Sequence, residues 1–436
     1  MMSPHQKPNK EVSMNISEDS RLKEFRQLKN AVRGSTEHLI IGIDIAKEKH
    51  HAFMGTATGK TLLRKLIFDN TREGFERLSV HVDAVKTRYV LPKAIFGLEP
   101  TGDYHKPLAE YLVRQGHTLV LEAGASVRKN RELLDGRWDK HDTKDAANVA
   151  DLISQGKCLF YEFPSADLRE LRSLISLKRR LKKLAQVYKV RIRNHLIAQY
   201  FPEADDYFRN VEGPAIVKWC LDPRELSALS FEEFVRMVLP SKGGEVQRKR
   251  LWDIYTKAKT SIGCEATPAV SFEAGLLIEA LRQLDVMTQN TDTKILAVCK
   301  RFPEYTHLLT IPGFGPDISA KVLGAIGNPY RFENERQVLK MAGLDLCADR
   351  SGKKSDTIPV ISKKGKADLR HGLYLAALYA STKNLPFIAY FTNKIKGRER
   401  EAGIGGKVRI KLAAKLLVIA WTLMKKKEAF NPDCIK

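Results

Sequence analysis

Four carboxylates stand where a fold could bring them to one place. Asp44 interrupts the apolar strand pattern "HLIIGIDIA", and Glu99 ends a second predicted strand, "AIFGLEPTG". Asp142 and Asp145 are three residues apart at the start of a predicted helix, so they share a face of that helix. Strands of one sheet lie about 4.8 Å apart, so the ends of nearby strands and a helix packed across them can converge.

The chemistry that such a cluster favours is metal binding. Clustered carboxylates repel one another, and a divalent cation removes the repulsion. Oxygen ligands suit Mg²⁺, with Mn²⁺ as a substitute, and two such ions about 4 Å apart can stabilise the attacking and leaving oxygens at a phosphodiester. Each acid also has a structural explanation, such as an N-cap for Asp142 or a favourable charge in the first helical turn for Asp145. The four acids together are more specific than any one of them.

The elements that must position these acids form an α/β region. Strand and helix patterns between His38 and Gly156 follow the order βββαβαβα, which implies a mixed sheet covered by helices. Beyond this region the pattern becomes helical, with a basic, coiled-coil-like helix that fits a plain bundle helix and a dimer contact equally well. This seam of spaced apolar residues consists of Leu174, Leu177, Leu181, Leu184 and Tyr188.

The patterns predict a division of the chain into five parts. The first is a disordered or partly helical lead-in, and the second is the α/β region with the acids. A helical region for oligomerisation, a mainly helical C-terminal region and a short tail follow. The predicted boundaries are 1–36, 37–160, 161–293, 294–427 and 428–436.

Composition narrows the class of partner. The chain has 436 residues, 43% of them hydrophobic, and a formal net charge of +23, which favours a polyanion such as nucleic acid as partner. No apolar run approaches the roughly 20 residues of a membrane span, and no signal peptide is visible. The six cysteines include no CxxC pair, which argues against a thiolate zinc site and a disulfide framework. The prediction is a cytoplasmic protein without membrane contact.

A serine in a basic segment is a second candidate for chemistry. "RSGKKS" places Ser351 before a glycine and two lysines. A Ser-Gly pair in a loop is usually a turn, and no Ser-His-Asp arrangement is evident. A serine can nevertheless attack a phosphate when a metal or nearby cations stabilise the developing charge.

The segment "IPGFGPDISAKVLGAIG" fits a helix-hairpin-helix, where glycines let backbone N–H groups approach a phosphate. The alternative is a helical turn that needs glycine and proline for its bend. Basic clusters downstream supply charge that neutralises phosphates. The predicted nucleic-acid contacts are Gly313, Gly315, Lys353, Lys354, Lys363, Lys364 and Arg370.

The blocks "IGIDIAKEKHHAF", "GLEPTGDYH" and "HDTKDAANVADLI" resemble the DEDD transposase domain of IS110-type insertion sequences and of the related Piv DNA invertases. The resemblance implies a RuvC-like fold, a variant of the ribonuclease H fold. It places the family's four metal-binding, catalytic acids on Asp44, Glu99, Asp142 and Asp145. The C-terminal blocks "FENERQVLKMAGL", "RSGKK" and "ISKKGKADLRHGLYLAA" resemble the family's C-terminal transposase domain, which implies that Ser351 is the nucleophile that becomes linked to DNA.

The function expected from this resemblance is that of an insertion-sequence transposase. Mg²⁺ held by the four acids would act with the serine to form a phosphoserine–DNA intermediate. The resemblance also implies a structured guide RNA and a homodimer or homotetramer whose subunits share active sites. Two other classes stay open: a RuvC-like junction nuclease or non-catalytic DNA-binding protein, and an actin-like ATPase suggested by "GIDIA". The ATPase would need Gly-Thr or Gly-Ser after Asp44, where Lys47-Glu48-Lys49 follow.

Overall fold

A computed structural model describes residues 18–135, 142–209, 213–219, 221–239, 244–348 and 359–435. The chain divides into two compact units, the first ending at Ser165 and the second beginning at Ala166. The predicted mixed α/β region and the mainly helical remainder are confirmed. None of the helices within the described ranges is long and apolar enough to cross a membrane.

The described part of the first unit contains a six-stranded sheet and five helices. The strands are β1 His38–Asp44, β2 Lys49–Thr56, β3 Thr61–Asp69, β4 Lys93–Leu98, β5 Thr118–Leu121 and β6 Leu159–Phe160. The helices are α1 Glu18–Ala31, α2 Arg72–Tyr89, α3 His105–Arg114, α4 Gly124–Asp135 and α5 Asp142–Ser154.

The strand order across this sheet is β3-β2-β1-β4-β5-β6. The first three strands form an antiparallel meander, whereas β4 and β5 run parallel to β1 and β6 is antiparallel to β5. Strand β1 lies in the middle, and its residues Leu39 to Ile43 are buried. Such a continuous apolar run is typical of a strand covered on both faces.

Two apolar layers enclose the sheet. One face packs against α2 and α3 through residues such as Ile41, Leu78 and Leu112. The opposite face, which carries Ile40 and Ile95, packs against α5 and α4 and against the end of α1. Strand β6 was not predicted from the sequence because it has only two residues. Helix α4 was not predicted either, because it begins at a glycine that follows an alanine, where no capping residue marks a helix start.

Within the described residues, the second unit is built from helices and one short hairpin. Its helices are α6 Ala166–Arg191, α7 Ala198–Tyr200, α8 Gly213–Trp219, α9 Pro223–Ala228, α10 Phe231–Val238, α11 Glu245–Ala258, α12 Pro268–Cys299, α13 Pro303–Leu309, α14 Pro316–Ile326, α15 Glu335–Ala342, α16 Ala367–Lys383, α17 Leu385–Ile395 and α18 Ile404–Lys426. The hairpin strands are β7 Leu346–Cys347 and β8 Val360–Ile361. A π-helical stretch, Ile192–Ile197, continues α6, and 3-10 turns occur at Pro202–Tyr207, Pro329–Arg331 and Pro432–Cys434.

The two long helices α6 and α12 pack side by side and run antiparallel. Lys178 pairs with Asp292, and Arg191, further along α6, pairs with Glu273, earlier on α12. The predicted seam of α6 is only partly covered, since Leu184 stays 49% exposed. The boundary predicted between residues 293 and 294 falls inside α12, so the helical and C-terminal regions share this helix.

Two separate apolar cores lie among the described residues of the second unit. One lies among α8–α11 and the first half of α12, and includes Phe201, Phe234 and Leu251. The other lies among α13–α18 and includes Leu323 and Leu416. The further division of the chain into predicted regions stays a prediction.

Candidate functional site

The register of the parallel strands places three acids at one edge of the sheet. Ile43 of β1 pairs with Leu98 of β4, so Asp44 and Glu99 occupy equivalent positions at the two strand ends. Leu98 in turn pairs with Leu121 of β5, and the N–H of the next residue, Glu122, donates to the Leu98 carbonyl at 3.0 Å. Neighbouring strands lie about 4.8 Å apart, so the three backbone positions form a compact row.

All three acids belong to the face of the sheet that α5 covers. Side chains alternate between faces along a strand, so residues two apart share a face. Ile40, Ile95 and Val120 all lie in the apolar layer under α5, and counting from them in steps of two reaches Asp44, Glu99 and Glu122. The acids therefore share both an edge and a face.

Two glycines let α5 lie directly on the strands. A Cβ on Gly42 would be 2.1 Å from the carbonyl oxygen of Ala146, and one on Gly97 would be 2.1 Å from Cδ1 of Ile153. These glycines are partners in the β1–β4 register, so they form a side-chain-free area on the sheet. The contact at Ala146 brings the helical turn that carries Asp145 onto β1, two residues from Asp44.

Asp145 is held in place by α4. Its carboxylate, 3% exposed, accepts a hydrogen bond of 2.6 Å from Nε of Arg131. Asn130 of α4 donates to Oδ1 of Asn148 and to Oδ2 of Asp151, both at 2.7 Å. These buried bonds join α4 to α5 and fix the orientation of Asp145. Asp142 is the first residue of α5, and its side chain lies outside the part described.

Glu99 packs against the beginning of α4. Its Oε1 lies 2.6 Å from where a Cβ on Gly124, the first residue of that helix, would stand. The N-terminal end of a helix favours a negative charge, because its N–H groups and dipole point toward it. Glycine at this position therefore allows the Glu99 carboxylate to approach a stabilising environment.

Two histidines flank Asp44 on strand β2. His51 lies directly opposite Asp44 in the β1–β2 pair and, by strand alternation, on the same face. The backbone N–H of Ala46 donates to Nδ1 of His50 at 3.2 Å. Burial lowers the pKa of His50, which keeps the ring neutral and this nitrogen able to accept. His50 therefore fixes the turn that follows Asp44.

Glu122 was not predicted as a site residue. Its side chain is fully buried, and neither carboxyl oxygen has a hydrogen-bond partner among the described residues. Burial raises its pKa to about 8, so the group is protonated at neutral pH. The signal in the sequence is an acid directly after the apolar run "TLVL", the same arrangement that singled out Glu99.

The donor set suits Mg²⁺ because it consists of carboxylate oxygens. Within the described residues, however, no three Asp, Glu, His or Cys side chains lie close enough together to hold a metal ion. The Asp142 side chain is not among those residues, and Asp145 is paired with Arg131. Magnesium binding by the four predicted acids therefore stays a prediction.

Comparison with known families gives two matches along the chain. A model of the DEDD transposases of IS110 elements, described as "Transposase", matches residues 41–202. A second model, described as "Transposase IS116/IS110/IS902 family", matches residues 305–392. The two matches cover more than half of the sequence. The chain belongs to the IS110 family of transposases. The resemblance read from the sequence blocks is thereby confirmed.

Individual relatives match most of the chain at low identity. The insertion element IS110 uncharacterized 43.6 kDa protein of Streptomyces coelicolor is 23% identical over 78% of this chain and 83% of its own length. The pilin gene-inverting proteins of Moraxella bovis and Moraxella lacunata are each 22% identical over 90% of this chain and 97% of their own length. The four predicted acids lie within the first IS110-family match, and Ser351 lies within the second.

The serine segment of this IS110-family chain is only partly covered by the structure. Ser351, Lys353 and Lys354 lie outside the described residues. The strands on either side pair with each other, Leu346 with Ile361. Asp345, just before β7, and Ser362, just after β8, add to this pairing. The Ser362 hydroxyl donates to the Asp345 carboxylate, and the Ser362 N–H donates to the Asp345 carbonyl at 2.8 Å.

Some predicted nucleic-acid residues have structural roles. Gly313 has φ +87°, and a Cβ there would be 2.5 Å from the Ala376 carbonyl, so its close approach is to α16. Nη1 of Arg370 donates to the Ala342 carbonyl at 2.9 Å, at the end of α15. Gly315 faces open space before α14. With the exposed Lys363 and Lys364, these residues stay predictions as nucleic-acid contacts.

A basic groove lies between α6, α14 and α16 of the second unit. Its volume is about 270 Å³, and it is lined by four cationic side chains and one acid. The acid, Asp368, lies 3.5 Å from Nε of the largely exposed Arg179. A second acid, Asp317, lies 2.6 Å from Nζ of Lys321, so Arg172 and Lys366 supply the surplus of positive charge that suits a phosphodiester backbone. The cations are Arg172, Arg179, Lys321 and Lys366.

Proposed function

We propose that this chain is the DNA recombinase of an insertion sequence, with a RuvC-like acidic centre and a serine nucleophile. The observation that carries the proposal is the placement of Asp44 and Glu99 at adjacent strand ends, under the helix that bears Asp142 and Asp145. The strand order supports a RuvC-like fold, since an antiparallel meander followed by parallel strands is the arrangement expected of that fold. Membership of the transposase family supports DNA as the substrate.

In this proposal Asp44, Glu99, Asp142 and Asp145 hold Mg²⁺. A bound ion supplies positive charge against the oxygens of the scissile phosphate. The chain's own task is to keep the carboxylates in place: α4 supports Glu99 through its first residue and Asp145 through Arg131. Rigid elements position such groups more precisely than loops do.

The covalent step uses Ser351. Its Oγ bonds to the phosphorus, the bond from phosphorus to one DNA oxygen breaks, the serine proton passes to solvent and the leaving DNA oxygen takes up a proton. One phosphoester replaces another, so rejoining to a different DNA hydroxyl needs no external energy source. The basic residues around the serine, Lys353, Lys354, Lys363 and Lys364, stabilise the charge that develops on the phosphate.

The partners that we infer are the element ends, the target DNA and a structured RNA transcribed from the element. The net charge of +23 supports nucleic-acid partners in general, and family resemblance is the ground for the RNA. We also infer a homodimer or homotetramer with shared active sites, acting in the cytoplasm at the nucleoid. Because two relatives are named pilin gene-inverting proteins, the same chemistry is also suited to inverting a DNA segment.

The test is formation of a covalent protein–DNA adduct. Purified protein is incubated with Mg²⁺, labelled element-end DNA and RNA transcribed from the element, and the adduct is detected on a denaturing gel. We expect adduct with the parent and with Ser355→Ala, the matched control from the same segment, but none with Ser351→Ala or Asp44→Asn. DNA binding by Asp44→Asn should persist, because the change removes one charge and keeps the side-chain volume.

Each outcome has a distinct meaning. Adduct on Ser351→Ala at the parent level would refute the serine assignment. Retained strand exchange by a protein that carries both Asp44→Ala and Ser351→Ala would favour a non-catalytic DNA-binding role. Omission of the RNA tests guidance, since adduct formation without RNA would contradict it.

A further inference from the structure

The helical lobe around α8–α11 has no assigned role. Residues 203–304 lie outside both family matches. The lobe has its own apolar core, which includes Leu251, Ile254 and Phe234. Its function has to be inferred from its surface.

A set of contacting aromatic rings runs from that core to the surface. Phe234 is fully buried, and its ring lies 6.1 Å from that of Tyr255, which is 8% exposed and donates from its hydroxyl to the Leu229 carbonyl at 2.7 Å. Tyr255 and Phe231 both contact Trp252, at ring distances of 5.9 Å and 4.8 Å. Trp252 is 54% exposed. The buried rings therefore hold a large, half-exposed indole in a fixed orientation.

The contact geometry leaves part of the indole free. The planes of Trp252 and Phe231 are 87° apart, an edge-to-face arrangement that involves the edge of one of the two rings. More than half of the surface of Trp252 is open to solvent, an area large enough to include one indole face. A rigid aromatic face of this kind is what a planar ligand stacks on, and little side-chain entropy is lost when it does so.

Positive charge surrounds the exposed indole. Residues 244–262 contain five cationic and only two acidic side chains. Lys249, which is exposed, and Arg248 lie one helical turn before Trp252 and so on its side of α11. Lys259 lies with its Nζ 5.0 Å from the Tyr255 ring. The acid partner Glu232 neutralises Arg248, at 2.5 Å, which leaves the lysines as the surplus charge.

We propose that Trp252 and the lysines beside it bind single-stranded nucleic acid. A base stacks on the open indole face, and Lys249 and Lys259 contact the flanking phosphates. A duplex does not fit this surface, because its bases already stack on one another. The positive charge also disfavours dimerisation of two chains through this face, because like charges would meet. The inference extends the proposed function, for it assigns one nucleic-acid contact to a region that the family matches leave out.

The experiment measures binding of the full-length protein by fluorescence anisotropy of labelled oligonucleotides. The probes are oligo(dT), oligo(U) and a duplex, each of about 12 nucleotides or base pairs, a length within the site sizes of proteins that stack single strands. We expect Trp252→Ala to weaken single-strand binding by about 10-fold or more, the effect typical of losing one stacked base. Trp252→Phe should retain most of the affinity, because a ring remains. Duplex binding should change by less than single-strand binding in Trp252→Ala.

The matched control is Met237→Ala, which removes another exposed apolar side chain, 42% exposed, from the same lobe. Its single-strand affinity should equal that of the parent. Equal weakening by Met237→Ala and Trp252→Ala, or equal loss of duplex and single-strand binding in Trp252→Ala, would overturn the proposal. The oligo(U) and oligo(dT) arms show whether RNA or DNA is preferred, and a loss of affinity for either in Trp252→Ala supports the proposal.

The two assays distinguish failure of this inference from failure of the proposed function. If Ser351→Ala and Asp44→Asn lose the adduct while Trp252→Ala binds single strands like the parent, this inference fails and the proposed function stands. If Trp252→Ala loses single-strand binding but no protein forms an adduct, the proposed function fails and this inference stands.

Discussion

Replacing Glu122 by glutamine should make the first unit more stable, and the gain should grow with pH. Glu122 is buried without a hydrogen-bond partner among the described residues, in an apolar layer beside Cys158. Because burial disfavours the charged form, its pKa rises to about 8 from the ordinary value of 4.5. Glutamine has nearly the same shape and never ionises.

The direction in which stability changes with pH depends on whether the folded or the unfolded chain binds the proton of Glu122. Between about pH 4.5 and pH 8 the unfolded chain has released the proton of Glu122, whereas the folded chain keeps it. Stability therefore falls as pH rises through this range and levels off above it. One pKa unit corresponds to about 1.4 kcal/mol, so the full range amounts to an upper bound of about 5 kcal/mol. The glutamine variant lacks this contribution.

The assay is urea unfolding in the presence of EDTA at about pH 5.5, 7 and 8.5, a range that spans the expected change. Hydrogen exchange of the β1 and β5 amides assigns the transition to the first unit. The free-energy difference between Glu122→Gln and the parent should rise with pH by up to about 1.4 kcal/mol per unit, until it levels off. The control is Glu132→Gln, since Glu132 is exposed on α4.

Parallel pH profiles for Glu122→Gln and the parent would refute the reasoning. They would mean that Glu122 ionises in the folded protein as it does in the unfolded chain. A pH-dependent gain of equal size in Glu132→Gln would also refute it, because the effect would then come from net charge and not from burial.

Other substitutions probe the packing of both units. Gly42→Ala should lower the free energy of unfolding by about 1–3 kcal/mol or more, because the new Cβ would lie 2.1 Å from a carbonyl oxygen of α5. At Gly275 in α12, an added Cβ would meet no atom within 4 Å apart from its chain neighbours and the backbone of its own helix, so Gly275→Ala should raise the free energy of unfolding by about 0.5–1 kcal/mol. Equal effects of the two substitutions in urea unfolding would contradict the packing argument. Lys178→Met should cost about 1–3 kcal/mol at neutral pH, since it leaves Asp317, which is 43% exposed, without that partner. Burial opposes ionisation of Asp317, but its lysine contacts lower its pKa to about 2. The loss of stability in Lys178→Met should therefore shrink as the pH falls from about 4 toward 2. A loss of stability that does not depend on pH would exclude the ion pair as its cause.

Strong local patterns made much of the first unit predictable. The buried run before Asp44 predicted β1, and the apolar spacing of Phe75, Leu78 and Val82 predicted α2. The Thr71 side chain caps that helix by accepting from the Gly74 N–H, an interaction that its sequence allows. Elements whose pattern and end signals agree are the ones that a sequence specifies most clearly.

Features that depend on contacts between distant segments were not predictable. The role of Glu122 depends on the register of β4 with β5 and on the helices above them, none of which its neighbours in sequence reveal. The seam of α6 fitted a bundle helix and a dimer contact equally well, and the contact with α12 leaves its Leu184 half exposed. Nothing in the spacing of apolar residues shows which part of a helix its partner will cover.

The glycine pair under α5 has a consequence for how such a chain can diverge. At Gly42 the spacing between sheet and helix is set by main-chain atoms, which are the same whatever the surrounding side chains are. Core residues on either side can therefore be exchanged over many generations without altering the separation between the acids on the strands and those on the helix. A descendant can retain the geometry of its acidic centre with little of the original sequence left, provided that Gly42 and Gly97 persist.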